Sequence, residues 1–116
     1  YAGDFPLWLA PEQVRVLAIT DAQNDYANQV AAKLEAVGLR VKTDLSPDKI
    51  GAKIRLGEMA KIPYLAVIGA KEMEAGAVAV RRRIAGDLGL MQLDAFIGKL
   101  AQEVATKALP PKAESK

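Results

Sequence analysis

The residues of this chain best equipped for chemistry gather around one expected hairpin. Glu72 and Glu74 lie in a charged turn bracketed by Gly69 and Gly76, and Arg81, Arg82 and Arg83 close the strand that follows. Side chains alternate faces along a strand, so Arg81 and Arg83 should point one way and Arg82 the other. At least one face is therefore expected to bring a guanidinium near Glu72 or Glu74. A guanidinium gives two parallel hydrogen bonds in a fixed fork, and a carboxylate only accepts. Beside a sheet, such a couple suits the polar edge of a planar ligand. The plainer reading of Arg81 and Glu72 is an exposed ion pair, worth less than about 1 kcal/mol. Lys49 and Lys53 fall four apart in a helical stretch, with Arg55 nearby and Lys61 at its end. That spacing puts the lysine pair on one face. It suits phosphate, although such a pair is more often a solvated surface.

Composition removes several other chemistries. The 116 residues include no cysteine and no histidine. Disulfides, thiolate metal sites and imidazole bases or ligands are excluded. Serine occurs only at Ser46 and Ser115, so a Ser-His-Asp arrangement is impossible. No apolar run reaches the roughly 20 residues of a membrane span. The net charge of +2 is compatible with nucleic-acid binding without establishing it. The absence of cysteine fits a reducing compartment. Nothing at Tyr1 resembles a signal peptide, and the chain is expected to be part of a longer polypeptide.

The elements that must position these residues follow from periodicity. Residues 1–11 read as an incoming linker, broken by Pro6 and Pro11, in which Trp8 is expected to pack against the domain or a missing neighbour. Val14 to Ile19 is an apolar strand. Thr20 and Gln23 have capping-box spacing and open a helix with Ala27, Val30, Ala31, Leu34 and Val37 on one face and Gly38 after its end. Leu39 to Leu45 is a second strand, joined to the first by a parallel crossover. Ser46-Pro47 reads as an N-cap and first helical residue, giving a helix from Asp48 to Lys61 with Ile50 and Ile54 inward. Gly51 and Gly57 weaken that helix and call for close packing or close approach of a ligand. The apolar run from Ile62 to Ile68 is a strand covered on both faces. The turn after it is too short for a helical crossover, so the strand from Ala77 should run antiparallel to it. Ala85 to Met91 reads as a loop with a short strand. The last helix runs from Leu93 to Lys107, with Leu93, Phe96, Ile97, Leu100 and Val104 inward. Residues 108–116 form a tail expected to be disordered.

Laid out in this way, the chain resembles the C-terminal anticodon-binding domain of the threonyl-tRNA synthetase family. The matching segments are Phe5-Pro6-x-Trp8-Leu9-Ala10-Pro11, Lys49-Ile50-Gly51-x-Lys53-Ile54-Arg55 and Ile62-Pro63-Tyr64. They continue with Gly69-x-Lys71-Glu72-x-Glu74, Val78-x-Val80-Arg81-x-Arg83 and Gly86-Asp87-Leu88-Gly89-x-Met91. Each segment alone is weak, but their order and distances are specific. The resemblance implies an α/β fold of three layers, α/β/α, with a five-stranded mixed sheet, over residues 12–107. It implies recognition of tRNA-Thr through the second and third anticodon bases. By the same resemblance, Glu72, Arg81, Lys49 and Lys61 fall at base-contacting positions. Pro47 falls where some members carry a hydrogen-bonding side chain. Lys53, Arg55 and Arg83 would hold the RNA backbone.

Anticodon bases are unpaired, so their Watson–Crick edges are open to such side chains. Phosphate contacts would add affinity rather than sequence information. Aminoacylation with ATP, and the zinc of the family, would belong to a catalytic domain outside this chain, which is expected to hold no cofactor. The parent enzyme is expected to be a cytoplasmic homodimer, and the isolated domain a monomer with no membrane contact. Two other readings are open. One is a stand-alone paralogue acting as an RNA-binding or protein-interaction adaptor. The other is a flavodoxin-like small-ligand binder, although no glycine-rich phosphate loop follows the first strand.

Overall fold

A computed structural model describes residues 10–83 and 86–106. Trp8 and the rest of the expected linker up to residue 9 lie outside the described residues, as does the tail. The first strand, β1 (Val14–Ala18), leads through a single 3-10 turn (Asp21–Gln23) into α1 (Asn24–Ala36). Next come β2 (Val41–Asp44), α2 (Ile50–Met59), β3 (Tyr64–Ile68), α3 (Ala70–Ala75), β4 (Ala77–Arg82), β5 (Gly86–Gln92) and α4 (Leu93–Thr106). The strands form one sheet in the order β2-β1-β3-β4-β5. β1 is parallel to both β2 and β3, and β4 is antiparallel to β3 and β5. This is the expected five-stranded mixed sheet.

Topology dictates the layers. The crossover from β1 to β2 moves one way across the sheet, and that from β2 to β3 moves back past β1. Right-handed crossovers in opposite directions place their helices on opposite faces. α1 accordingly packs on one face, beside α4, over Val14, Val16, Ala18, Tyr64, Ala66, Ile68, Val78 and Val80. α2 packs on the other face, where Ile50 and Ile54 meet Leu17, Leu65 and Val67. Every residue of β3 is buried, as its continuous apolar run requires. Gly57 lets α2 lie close to the sheet: a Cβ there would stand 2.6 Å from Leu65 Cδ2.

Three local expectations are corrected. α2 begins at Ile50 with Lys49 as its extended N-cap, not at Ser46-Pro47. The carboxylate of Asp44 instead accepts the Ser46 N–H at 3.1 Å, closing a turn that competes with the helix start. The charged turn after β3 is the six-residue helix α3, entered at Gly69 and ended by Gly76 at φ 65°. Residues 86–92 form a full edge strand rather than a loop with a short strand, with a register shift opposite Val80 and Arg81.

Both longer crossovers end on the same motif. After α1, the N–H of Gly38 reaches Glu35 O and that of Leu39 reaches Leu34 O, with Gly38 at φ 90°. After α2, the N–H of Lys61 reaches Glu58 O and that of Ile62 reaches Gly57 O. Here the left-handed position is held by Lys61, at φ 62°, where glycine is the usual occupant.

Candidate functional site

The three consecutive arginines divide between the two faces as alternation requires. Arg82 is buried at 3% exposure, its guanidinium 4.9 Å from the centre of the Tyr64 ring. Its Nη1 donates to Pro63 O at 3.3 Å and its Nη2 meets Glu103 Oε2 at 3.3 Å. The Tyr64 hydroxyl donates to the other oxygen of Glu103 at 2.6 Å, and Phe96 closes the cluster edge-on. Burial, and then the Glu103 carboxylate, push the Tyr64 hydroxyl pKa far above its ordinary value. β4 is thus anchored at its last residue from one face, while Arg81 serves the other.

Arg81 projects onto the face covered by α2, but α2 lies over β1 and β3 and leaves the β4–β5 half open. Ala79 is half-buried there, and Leu90 opposite it is 50% exposed. Arg81 is paired loosely with Glu58 of α2, at 3.5 Å, and about a third of its side chain is exposed. Its Nε has no hydrogen-bond partner. Arg83, just past the strand, is half-buried, and its backbone N–H donates to Pro63 O at 2.8 Å.

Glu72 lies elsewhere, so the expected guanidinium–carboxylate couple is corrected. Glu72 Oε1 accepts the N–H of Gly69 at 2.8 Å, at the C-terminal end of β3. Its charge also contributes, after burial, to the raised pKa of Tyr26 on α1. Arg81 is paired in register with Leu65, four residues before Gly69. At about 3.3 Å per residue, Gly69 and the position opposite Arg81 are about 13 Å apart along the backbone of β3. The short helix α3 and the antiparallel return carry Arg81 back to the opposite end of the sheet.

The other cations also sort by depth. Lys53 is buried at 1% exposure and donates to Ala18 O at 2.7 Å and Asp44 O at 3.3 Å. It ties together the ends of β1 and β2, and it is not on the surface as a backbone-binding lysine must be. Its position one residue before Ile54 and three after Ile50 was the sequence signal for the inner face. Lys49, Arg55 and Lys61 are exposed, with no recorded ion pair or side-chain hydrogen bond among the described residues. Lys49 stands at the Glu72 end of the sheet, and Lys61 at the Arg81 end. Asp44 is pulled two ways: burial raises its pKa, but hydrogen bonds from Ser46 and the charges of Lys53 and Arg15 leave it below the ordinary value.

The crevice outside the carboxyl ends of β1 and β3, where open α/β sheets bind small ligands, is occupied by the protein itself. Lys53 fills one side, and Ile19 Cδ1 sits 2.8 Å from where a Cβ on Gly69 would be. Sequence reasoning missed Glu58, Glu103 and Gln13. Gln13 Oε1 accepts the N–H of Arg40 at 2.8 Å, and the Arg40 guanidinium donates to Ala10 O at 2.7 Å. Single polar residues at strand and helix ends carried no periodic signal. Among the described residues, no cluster of acidic side chains is placed to hold a metal ion. Among them too, no helix is long and apolar enough to cross a membrane.

Residues 13–103 match the family model described as an anticodon binding domain. The threonine–tRNA ligase of Symbiobacterium thermophilum is 55% identical over 109 residues, which are 94% of this chain and 17% of that protein. That of Syntrophomonas wolfei is 52% identical over the same length, again 17% of the ligase. The chain therefore spans about a sixth of the curated relatives it matches. Among solved structures, the RNA binding domain of threonyl-tRNA synthetase from Cryptosporidium parvum superposes with a TM-score of 0.83 at 33% identity, over 88% of this chain and 26% of that one. Prolyl-tRNA synthetase from the same organism gives 0.72 at 25% identity, over 88% and 23%.

Proposed function

Because this chain belongs to the anticodon-binding-domain family, we propose that it reads the anticodon of tRNA-Thr for a threonine–tRNA ligase. The observation that carries the reading is Arg81: a part-exposed guanidinium on open sheet, held by only a loose ion pair to Glu58. Unpaired bases present carbonyl oxygens that such a fork can bind in parallel. Glu72 accepts from a guanine N–H at the other end of the hairpin, after releasing or sharing its bond to Gly69. The two groups therefore read different nucleotides, at the second and third anticodon positions. Lys49 and Lys61 contact bases at the two ends. Arg55 and Arg83 hold phosphates, and Lys53 leaves that set because it is enclosed. ATP chemistry and zinc belong to a catalytic part of the ligase outside this chain, and dimerisation of the cytoplasmic parent rests mainly there.

Titration of the chain and of Arg81→Ala against the tRNA-Thr anticodon stem-loop, and against a loop with the second anticodon base changed, tests the proposal. The unaltered chain should prefer the cognate loop. Arg81→Ala should bind it more weakly by about 1–3 kcal/mol and discriminate less. Equal affinity of the unaltered chain for the two loops would overturn the reading.

A further inference from the structure

We propose that Gly69 is the positioning residue for the Glu72 carboxylate. Its N–H anchors one oxygen, its missing Cβ leaves that oxygen room, and the second oxygen is thereby kept in place for the donors on a base edge. This rests on the anticodon reading above and adds to it the means by which one reader is set before RNA arrives.

Neither the backbone nor the start of α3 requires glycine at position 69. Its φ of −114° is extended backbone open to any residue. At an N-cap, serine, threonine, asparagine or aspartate would supply a side-chain acceptor that glycine lacks. Space is what excludes them. A Cβ on Gly69 would stand 2.8 Å from Ile19 Cδ1 and 2.9 Å from Glu72 Oε1, closer than Cβ atoms come to their neighbours in folded proteins. Glu72 Oε1 occupies that space because the Gly69 N–H donates to it at 2.8 Å.

The anchor is itself fixed. Gly69 is buried just past β3, and the carbonyl of Ile68 before it accepts the Ile19 N–H at 2.9 Å. The Gly69 carbonyl accepts the Met73 N–H at 3.0 Å, so the turn of α3 that carries Glu72 closes on the same residue. Glu72 Oε2 has no hydrogen-bond partner among the described residues. A free glutamate gives up rotamer freedom when it binds. One held by its first oxygen has given it up on folding, so taking a base with the second costs less. The atoms that a Cβ would strike are the ends of two flexible side chains. Alanine at position 69 would therefore move the carboxylate and leave the strand standing. Gly57 is the contrast, because a Cβ there would strike Leu65, which is buried between α2 and the sheet.

The test uses Gly69→Ala and Glu72→Ala, singly and together, and Gly69→Ala combined with Ile19→Val, in the 116-residue chain. Valine at position 19 lacks Cδ1, so that combination keeps only the overlap with the carboxylate. Each chain is titrated with the cognate stem-loop and with loops changed singly at the second and third anticodon bases. Glu72→Ala should lose discrimination at one of these positions. Gly69→Ala should lose most of it at the same position, with cognate affinity down severalfold. Ile19→Val should restore the melting temperature of Gly69→Ala without restoring discrimination. Adding Gly69→Ala to Glu72→Ala should change binding no further, because both act on one carboxylate. Without RNA, the Gly69 amide should exchange faster in Glu72→Ala than in the unaltered chain. Equal exchange would overturn the positioning role and leave the anticodon reading standing. So would a Gly69→Ala chain that discriminates as the unaltered one does, or a further loss of binding when it is added to Glu72→Ala, since that effect would run through the fold. If Glu72→Ala discriminates as well as the unaltered chain, Glu72 is no reader and needs no positioning. If the unaltered chain prefers no loop, the anticodon reading fails and the positioning role fails with it.

Discussion

Lys53 is enclosed where a lysine is ordinarily exposed, and Lys61 holds a backbone conformation where glycine is ordinarily found. A buried ammonium persists when its donors are satisfied, and the carbonyls of Ala18 and Asp44 do this for Lys53. Lys53→Met keeps the aliphatic stem and removes the donors. Urea denaturation should show a loss of about 1–3 kcal/mol from the two stranded carbonyls. The salt dependence of RNA binding should be unchanged, because no phosphate contact is lost. A shallower slope for this variant would return Lys53 to the interface. Lys61 is the opposite case. A non-glycine residue in the left-handed region costs roughly 1–2 kcal/mol, and such strain tends to collect at functional positions. Lys61→Gly should raise stability by about 1 kcal/mol while weakening the cognate stem-loop severalfold, and paired melting and titration experiments check both signs. A rise in stability with intact affinity would make Lys61 a neutral accident of the helix end.

At the scale of elements, β4 is held by its buried end. Tyr64, Arg82 and Glu103 join β3, β4 and α4, and the Tyr64 hydroxyl pKa is raised far above 10.0 by burial and by Glu103. The sign of the linkage follows directly. A folded-state pKa above the unfolded value means that the native state holds its proton more tightly. That stability is complete below the unfolded value and is lost as pH rises through and beyond it. Urea midpoints measured from about pH 9 to about pH 11 should fall more steeply for the unaltered chain than for Tyr64→Phe, which has no hydroxyl to titrate. Parallel curves would remove Tyr64 from the alkaline transition. The elements differ in how far they could be read in advance. α1 and α4 were legible because apolar residues recur with the helical period, and β3 because its apolar run is continuous. α3 was not, because six residues rich in charge carry no period, and Gly69 and Gly76 look the same bracketing a turn as capping a helix. β5 was hidden by Gly86, Asp87 and Gly89, which interrupt an edge strand that needs to satisfy only one neighbour. The start of α2 was misplaced because Ser46-Pro47 is a sound capping signal, and the Asp44 carboxylate claimed the Ser46 N–H first.

At the scale of the whole molecule, the reversal of the chain at α3 decides what the site can be. Glu72 and Arg81 are nine positions apart in sequence, which invited the expectation of one couple. The hairpin carries them to opposite ends of β3 instead. On the proposed reading, two separated groups match an extended series of nucleotides, whereas a joined pair would match one. The residue types were legible in the sequence. Their separation was not, because it depends on where the strand turns. Depth was only half legible: alternation separated Arg82 from Arg81 and Arg83, but nothing in the charge of Lys53 announced its burial.

Enclosure of Arg82 makes the arginine triplet chemically unequal, although its members share one side chain. A dicarbonyl reagent such as phenylglyoxal needs both guanidinium nitrogens within reach. Peptide mapping after brief treatment of the native chain should find adducts at Arg81, with Arg82 spared until the chain is denatured. A cognate stem-loop bound beforehand should then shield Arg81 as well. Rapid modification of Arg82 in the native state would mean that the end of β4 is loose, and that the readers beside it are not held in place.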